Sequence, residues 1–201
     1  MMVTIIDYGA GNVPSVERAL QRLGAASQRT ASPESIAKAE TLLLPGVGHY
    51  AALIRALDER NLRMPLIAAI RRGVPFLGIC LGLQVLFESS EEAPQLRGLN
   101  LMLGRVSALP SNIKLPHMGW NQLAAKRESG LLAGVGPEDY FYFAHSYAAL
   151  DSNGTASATC THGAEFTAVI EEQNICAVQF HPEKSGEAGA RVLHNFLRMA
   201  V

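Results

Sequence analysis

The segment VPFLGICLGLQVLF, residues 74–87, decides the fold that we expect for this chain. Its first half is a continuous apolar run, which is typical of a strand buried on both faces of a sheet. Its second half places Leu83, Leu86 and Phe87 at the three- and four-residue spacing of an amphipathic helix. The segment therefore predicts a strand that turns into a helix at Cys80.

Two glycines, Gly78 and Gly82, bracket Cys80 in the pattern of a nucleophile elbow, where small residues permit a sharp turn. A thiol at such a turn lies at the N-terminal end of a helix, whose dipole favours the thiolate. The backbone N–H of Leu81 opens the helix and can donate to an oxygen that becomes negative during acyl transfer. Cys80 is therefore a candidate nucleophile. The alternative is a small buried core residue.

Outward from this segment, buried strands alternate with amphipathic helices up to residue 88. The strand-like runs are residues 3–9, 26–30 and 41–46, and the helix-like runs are 12–23, 50–57 and 65–72. This alternation predicts an α/β fold with a mostly parallel central sheet and helices on both faces. Between residues 99 and 177 the strand candidates come without long helices, so we expect a smaller antiparallel or mixed extension, followed by a helix over 187–199.

The composition suits a globular protein with one domain over residues 1–201. With 48% hydrophobic residues, 17% charged residues and a net charge of −1, the chain lacks the basic excess of a nucleic-acid binder. It also lacks a membrane-spanning run and a signal sequence, so we expect no membrane partner and a cytoplasmic location. Three sparse cysteines argue against a disulfide framework, and without CxxC or HExxH motifs we expect no metal and no cofactor.

A candidate base lies in QFHPEKS, residues 179–185, which follows the apolar strand ICAVQF. This position is the carboxyl edge of a sheet, where open α/β folds bind ligands. If the segment is extended, the spacing of His181 and Glu183 points both side chains to the same side, and the carboxylate can fix the imidazole tautomer. The sequence thus suggests a Cys80, His181, Glu183 triad. The alternative is a surface or capping histidine at a strand end.

A third motif, PGVG at residues 45–48, also follows a buried strand. Its glycines leave backbone N–H groups free to point at a substrate oxygen. We expect Val47 and Gly48 to supply a second oxyanion donor beside Leu81. The alternative is an ordinary turn.

Together, GICLGLQ, PGVG and QFHPEKS, in this order, resemble the motifs of the class I (triad) glutamine amidotransferases, and the resemblance spans essentially the whole chain. It implies the three-layer, flavodoxin-like fold of that family and hydrolysis of glutamine to glutamate through a thioester on Cys80. It also implies that Gln84, Gly48, Ser146 and Tyr147 hold the amino and carboxylate groups of glutamine. Small departures from the family pattern occur at Leu83, at His49 and at Tyr50.

Three more segments, DYGAGN (7–12), PHMGWN (116–121) and YFAHSY (142–147), resemble the glutaminase subunits that serve histidine biosynthesis. Such subunits form a heterodimer with a barrel-type cyclase, to which they deliver ammonia. Because wasted glutamine is costly, we expect low basal activity and activation when the partner binds its nucleotide, with a reorientation of the PGVG peptide that turns its N–H toward the oxyanion. We expect the interface to include the residues Asn12, Met118, Trp120 and Asn121, although a core tryptophan is the alternative for Trp120.

Two other functions stay open at this stage. The chain could be the glutaminase of another pathway, such as anthranilate, guanylate or pyridoxal phosphate synthesis. It could also be a non-catalytic flavodoxin-like module that binds a nucleotide at the 9–12 turn, with Cys80 structural. We interpret Cys160 and Cys176 as core residues and His117 and His145 as hydrogen-bonding groups of the core or an interface.

Overall fold

A computed structural model describes residues 2–151 and 154–200 of the chain. Its helices are α1 (Val13–Arg22), α2 (Pro33–Ala37), α3 (Tyr50–Glu59), α4 (Arg63–Arg71), α5 (Leu81–Gln84) and α6 (Gly186–Met199). Its strands are β1 (Met2–Ile6), β2 (Ala26–Thr30), β3 (Leu42–Gly46), β4 (Phe76–Cys80), β5 (Ser89–Ser90), β6 (Arg105–Ala108), β7 (His117–Asn121), β8 (Ala124–Ala125), β9 (Phe141–His145), β10 (Tyr147–Ala148), β11 (Ala156–His162), β12 (Ala164–Glu172) and β13 (Ile175–Val178).

The main sheet has the strand order β2-β1-β3-β4-β13-β12-β11-β8. Its first five strands run parallel, and β12, β11 and β8 continue it in antiparallel fashion. The central strands β3 and β4 are buried along their whole length, because they have a parallel neighbour on each side and helices on each face. The mostly parallel sheet with an antiparallel extension is thus confirmed.

Alternate side chains of β3 belong to two different cores. Leu42 and Leu44 pack with apolar residues of α2, α3 and α4 on one face of the sheet. Leu43 packs with α1 and α6 on the other face. This division produces the three layers that the sequence predicts.

The second half of the chain departs from the prediction in detail, because part of it leaves the main sheet. β7 and β9 pair with each other as an antiparallel ribbon, and β10, β6 and β5 form another small sheet. The ribbon matters for the site, because the backbone N–H of His181 donates to the carbonyl of Tyr142 on β9 at 2.8 Å.

Helix α5 is shorter than predicted, since it ends at Gln84 and does not continue to Phe87. The carbonyls of Val85 and Leu86 accept hydrogen bonds from backbone N–H groups within residues 99–102 instead of from a further helical turn. The spacing of the apolar residues over 83–87, which predicted a helix, results instead from the burial of all these residues.

The turn at Cys80 depends on close backbone packing. Cys80 itself has φ 54° and ψ −107°, a backbone conformation that residues other than glycine rarely adopt. A Cβ atom on Gly82 would overlap the carbonyl oxygen of Leu44 on β3, and one on Gly78 would lie 2.6 Å from the carbonyl oxygen of Gly82. The two glycines therefore let the turn pack against β3, as the elbow pattern predicts.

We expect Gly82→Ala to destabilise the protein by about 1–3 kcal/mol or more, because the added methyl group displaces β3 from the turn. Gly136→Ala is the matched control, since a Cβ atom on Gly136 would make only an ordinary contact, at 4.0 Å, with Oδ2 of Asp139, and its effect should stay within about 0.5 kcal/mol. Urea unfolding of both variants measures the difference. Equal stabilities would show that the turn does not need the close approach.

Candidate active site

Three motifs that are far apart in the sequence meet at one edge of the sheet. β3, β4 and β13 are parallel neighbours, so their carboxyl ends point the same way. Val47 and Gly48 follow β3, Cys80 ends β4, and His181 lies three residues beyond β13. The sheet order therefore brings the PGVG loop, the elbow and the HPE segment together.

His181 and Glu183 form a buried pair. Nδ1 of His181 lies 3.0 Å from Oε1 of Glu183, and their side chains are only 3% and 1% exposed. The segment is not extended as predicted, because Pro182–Lys184 forms a 3-10 turn. The hydroxyl of Ser185 donates to the backbone carbonyl of His181 at 2.7 Å. This bond holds the backbone that carries the imidazole in place.

The pair holds a positive charge next to the sulfur of Cys80. Burial alone would lower the pKa of His181, but the hydrogen bonds with Cys80 and Glu183, and the negative charges of both groups, raise it to about 10. The imidazole is therefore protonated at neutral pH, and it stabilises a thiolate on Cys80. Gln179 adds a second donor, since its Nε2 lies 3.5 Å from the sulfur.

The two other thiols are poor nucleophiles. Burial raises the pKa of Cys160 and of Cys176 to about 12, so both stay protonated. Both are buried and unbridged, in keeping with the interpretation as core residues.

A cavity of about 160 Å³ opens beside Cys80. At ~30 Å³ per molecule this is the volume of about five waters, which is enough for a small polar molecule. It is lined by Val47, Gly48, Cys80, Leu81, Gln84, Glu92, Ala144, His145, Ser146, Tyr147, His181 and Lys184. The structure thus gathers every residue that the sequence suggested for the oxyanion and for glutamine.

Gln84 forms part of the cavity wall in a way that the sequence did not reveal. Its Nε2 donates to the carbonyl of Tyr147 at 2.8 Å and to Oε1 of Gln179 at 3.1 Å. Through Gln179 this wall is joined to the sulfur of Cys80. The start of β10 at Tyr147 and the nucleophile are therefore positioned by one chain of amide groups.

Two buried histidines, His145 directly and His117 through His145, also hold the carbonyl of Tyr147. Nδ1 of His145 lies 2.9 Å from the carbonyl oxygen of Tyr147, which can only accept, and Nε2 lies 3.1 Å from Nδ1 of His117. Burial lowers the pKa of His117 to about 4 and that of His145 to about 3, so both rings are neutral. This geometry agrees with hydrogen-bonding groups, as the sequence indicated, and places His145 in the cavity wall.

Glu92 is a cavity residue that sequence reasoning missed. One of its oxygens, Oε2, accepts a hydrogen bond from the first backbone N–H of α3 at 2.7 Å. This bond holds the carboxylate in the wall of the cavity. Its neighbours in the sequence, an acidic loop, gave no periodicity or spacing to single it out.

The oxyanion loop differs from the expectation at one atom. The backbone N–H of Val47 is already engaged, because it donates to the hydroxyl of Tyr8 at 3.3 Å. Burial is the main cause that raises the pKa of Tyr8 to about 12. His49, a departure from the family pattern, has a local role, since its Nδ1 accepts the N–H of Ala51 at 3.1 Å and caps α3.

The residues predicted at a partner interface fall into two groups. Met118 and Trp120 on β7 are 65% and 56% exposed, so Trp120 is not a core residue. Asn12 instead directs its side chain inward, where Nδ2 donates to Oε1 of Glu183 at 3.1 Å. Asn121 donates to the carbonyl of Thr161 at 3.0 Å.

Within residues 2–151 and 154–200, no cluster of three or more His, Cys, Asp and Glu side chains has the arrangement of a metal site. In the same part of the chain, none of the helices has both the length and the apolar character needed to cross a membrane.

Comparison with known proteins agrees with this geometry. A family model described as glutamine amidotransferase class-I matches residues 4–200. The chain is 49% identical over 198 residues to imidazole glycerol phosphate synthase subunit HisH of Methanothermobacter thermautotrophicus, covering 98% of each chain. It is 44% identical over 202 residues to the subunit of the same name from Aquifex aeolicus, covering 100% of this chain and 98% of that one.

Among solved structures, a crystal structure of a glutamine amidotransferase superposes with a TM-score of 0.79 at 17% identity, covering 98% of each chain. The structure of PurLQS from Thermotoga maritima superposes with a TM-score of 0.73 at 19% identity, again covering 98% of each chain. At these identities the likeness concerns the fold.

We expect Cys80→Ala to lower the pKa of His181 from about 10, because burial remains while the negative sulfur is lost. NMR titration of the imidazole measures the change. In the wild type, stabilisation by the charged ring is fully present below pH 6.5 and is lost as the pH rises through about 10. Cys176→Ala, which keeps the Cys80 sulfur, is the control and should leave the pKa of His181 near 10. An unchanged value in Cys80→Ala would contradict the ion pair.

Proposed function

The chain belongs to the class-I glutamine amidotransferase family, and from that premise we propose that it works as the glutaminase subunit of an imidazole glycerol phosphate synthase in histidine biosynthesis. The observation that carries the proposal is the assembled Cys80, His181, Glu183 triad in the wall of a small polar cavity. Relatives that bear this subunit name are 44–49% identical over nearly their whole length.

In the first step, the thiolate of Cys80 attacks the side-chain carboxamide of glutamine. The carbonyl oxygen becomes negative, and the N–H of Leu81 at the start of α5 lies where it can stabilise that charge. When the C–N bond breaks, His181 gives its proton to the leaving nitrogen. Ammonia departs, and a glutamyl thioester remains on Cys80.

In the second step, His181 is neutral and takes a proton from a water molecule that attacks the thioester carbonyl. The C–S bond breaks, glutamate leaves, and Cys80 is again a thiolate beside a protonated His181. Glu183 keeps the imidazole oriented in both steps, because its Oε1 is held by Nδ1 of the ring and by the side chain of Asn12.

The cavity offers complementary groups to the amino-acid end of glutamine. The carboxylate of Glu92 suits the ammonium group. The backbone at Gly48, Ser146 and Tyr147 supplies the polar groups for the carboxylate. Gln84 contributes indirectly: its amide nitrogen donates to the carbonyl of Tyr147 and so positions the backbone that binds the substrate.

The partner in this proposal is the barrel-type cyclase subunit, which would convert the ammonia into the imidazole ring. The exposed side chains of Met118 and Trp120 form an apolar surface on the ribbon whose other strand lines the cavity at Ala144. A partner that covers this surface closes the site against solvent and keeps ammonia from being lost. We place the complex in the cytoplasm, where thiols such as Cys80 stay reduced.

We expect glutamate release from glutamine to be slow for the chain alone and to rise strongly with the cyclase and its nucleotide substrate. Cys80→Ala should abolish the reaction in both mixtures, because the nucleophile is lost. A coupled glutamate dehydrogenase assay measures the rates. Cys80-dependent turnover without stimulation would keep the glutaminase and exclude this partner, and the absence of turnover in folded complexes would contradict the function itself.

We expect Glu92→Gln to raise KM for glutamine by about 10- to 100-fold, the loss of one hydrogen bond to a charged group. The kcat should change little, because the contact with the ammonium group is the same in the ground and transition states. Steady-state kinetics of the complex measure both constants. Glu91→Gln is the control, since Glu91 does not line the cavity. An unchanged KM would exclude Glu92 from substrate binding.

A further inference from the structure

Two histidines that face each other on the ribbon of β7 and β9 form a hydrogen-bond chain that ends in the cavity wall. His117 and His145 are directly opposite residues of the two strands. Nδ1 of His117 lies 3.1 Å from Nε2 of His145, whose Nδ1 lies 2.9 Å from the carbonyl oxygen of Tyr147. Both histidines are buried, and burial lowers the pKa of each imidazole, so each ring carries a single proton.

The direction of this hydrogen-bond chain is fixed at its inner end, because a carbonyl oxygen only accepts. Nδ1 of His145 must therefore carry the proton of that ring, which leaves its Nε2 as an acceptor. That acceptor requires the proton of His117 to be on Nδ1. Nε2 of His117 is then an acceptor as well.

The outer end of the hydrogen-bond chain leads independently to the same direction. Nδ2 of Asn121 lies 3.0 Å from the carbonyl oxygen of Thr161, so this atom is the donating amide nitrogen. The same nitrogen lies 3.3 Å from Nε2 of His117, which therefore accepts. N–H donors thus follow one another from Asn121 through both imidazoles to Tyr147.

Tyr147 presents both of its backbone polar groups to the same side. The N–H of Leu109 donates to the carbonyl of Ser146 at 2.9 Å, and Tyr147 occupies the next position in the antiparallel pair of β10 and β6. Hydrogen-bonded and non-hydrogen-bonded positions alternate in such a pair, so the N–H and the carbonyl of Tyr147 point away from β6. The carbonyl is held there by Gln84 and His145, and the N–H lies beside it at the cavity that Tyr147 lines.

We propose that His145 is a positioning residue for glutamine: by holding the Tyr147 carbonyl it aims the Tyr147 N–H at the substrate carboxylate, and His117 fixes the tautomer in which His145 donates. The inference rests on the proposed glutaminase function and assigns a group that determines its affinity for glutamine. If Nδ1 of His145 were bare, its lone pair would face the carbonyl oxygen and no hydrogen bond could form. Through this hydrogen-bond chain the ribbon of β7 and β9 takes part in substrate binding.

The first measurement is ¹⁵N NMR of the imidazoles in the whole protein, since the chemical shift of a ring nitrogen shows whether it carries a proton. We expect Nδ1 to be protonated and Nε2 to be bare in both His117 and His145. A bare Nδ1 on His145 would overturn the inference and would leave the triad untouched.

The second measurement compares two substitutions of His145 in the complex with the cyclase and its nucleotide substrate. His145→Phe keeps a ring and removes the donor, and it should raise KM for glutamine about 2- to 12-fold, the range given by one ordinary hydrogen bond. The kcat should change little, because the contact with the carboxylate is the same in the ground and transition states. His145→Asn keeps an N–H donor near the position of Nδ1, so its KM should be close to that of the wild type.

His162→Phe is the control, because the His162 ring stacks on His117 at 4.2 Å between centroids, while its Nε2 donates to the carbonyl of Lys114, outside the hydrogen-bond chain. It should change neither KM nor kcat.

Two kinetic results would overturn the inference while Cys80-dependent turnover of the wild-type complex preserves the glutaminase. One is an unchanged KM in His145→Phe. The other is a larger rise of KM in His145→Asn than in His145→Phe, which is the order expected if His145 only filled space. A wild-type complex without Cys80-dependent turnover would instead overturn the proposed function, and this inference with it.

Discussion

The close approach of the Cys80 turn to the end of β3 is the constraint on which the rest of the structure depends. Because Gly82 packs against the carbonyl of Leu44, the strand can turn into α5 within one residue and place the sulfur at the sheet edge, in the wall of the cavity. The same approach brings the PGVG loop beside the sulfur, since β3 and β4 are hydrogen-bonded neighbours up to Gly46 and Cys80. The nucleophile and its oxyanion loop are thus placed by one packing contact.

Electrostatics then determines what the placed sulfur can do. All three cysteines are buried, yet only Cys80 has an imidazolium as its neighbour, and that charge persists in a buried site because Glu183 and the sulfur both compensate it. Burial without such partners raises the pKa of Cys160 and Cys176 to about 12. Neighbouring charged groups, and not solvent exposure, therefore distinguish the reactive thiol from the inert ones in this chain.

Much of this could be predicted from the sequence, because the information is local. The apolar runs and their spacing indicated the parallel sheet, and the glycines around Cys80 indicated the elbow. What the sequence did not predict depends on distant contacts. The end of α5 at Gln84 is determined by residues 99–102, Glu92 enters the cavity from a loop without a motif, and the bond between Tyr8 and Val47 requires β1 and β3 to be adjacent.

The most direct test of the central claim is to map the cysteine that reacts with an electrophilic diazoketone analogue of glutamine, by mass spectrometry of peptides from the complex with the cyclase. The account predicts a label on Cys80 alone, prevented by excess glutamine, because among the three cysteines Cys80 alone lines the cavity, beside the protonated His181. A label on Cys160 or Cys176, or a label on Cys80 that glutamine does not prevent, would contradict it.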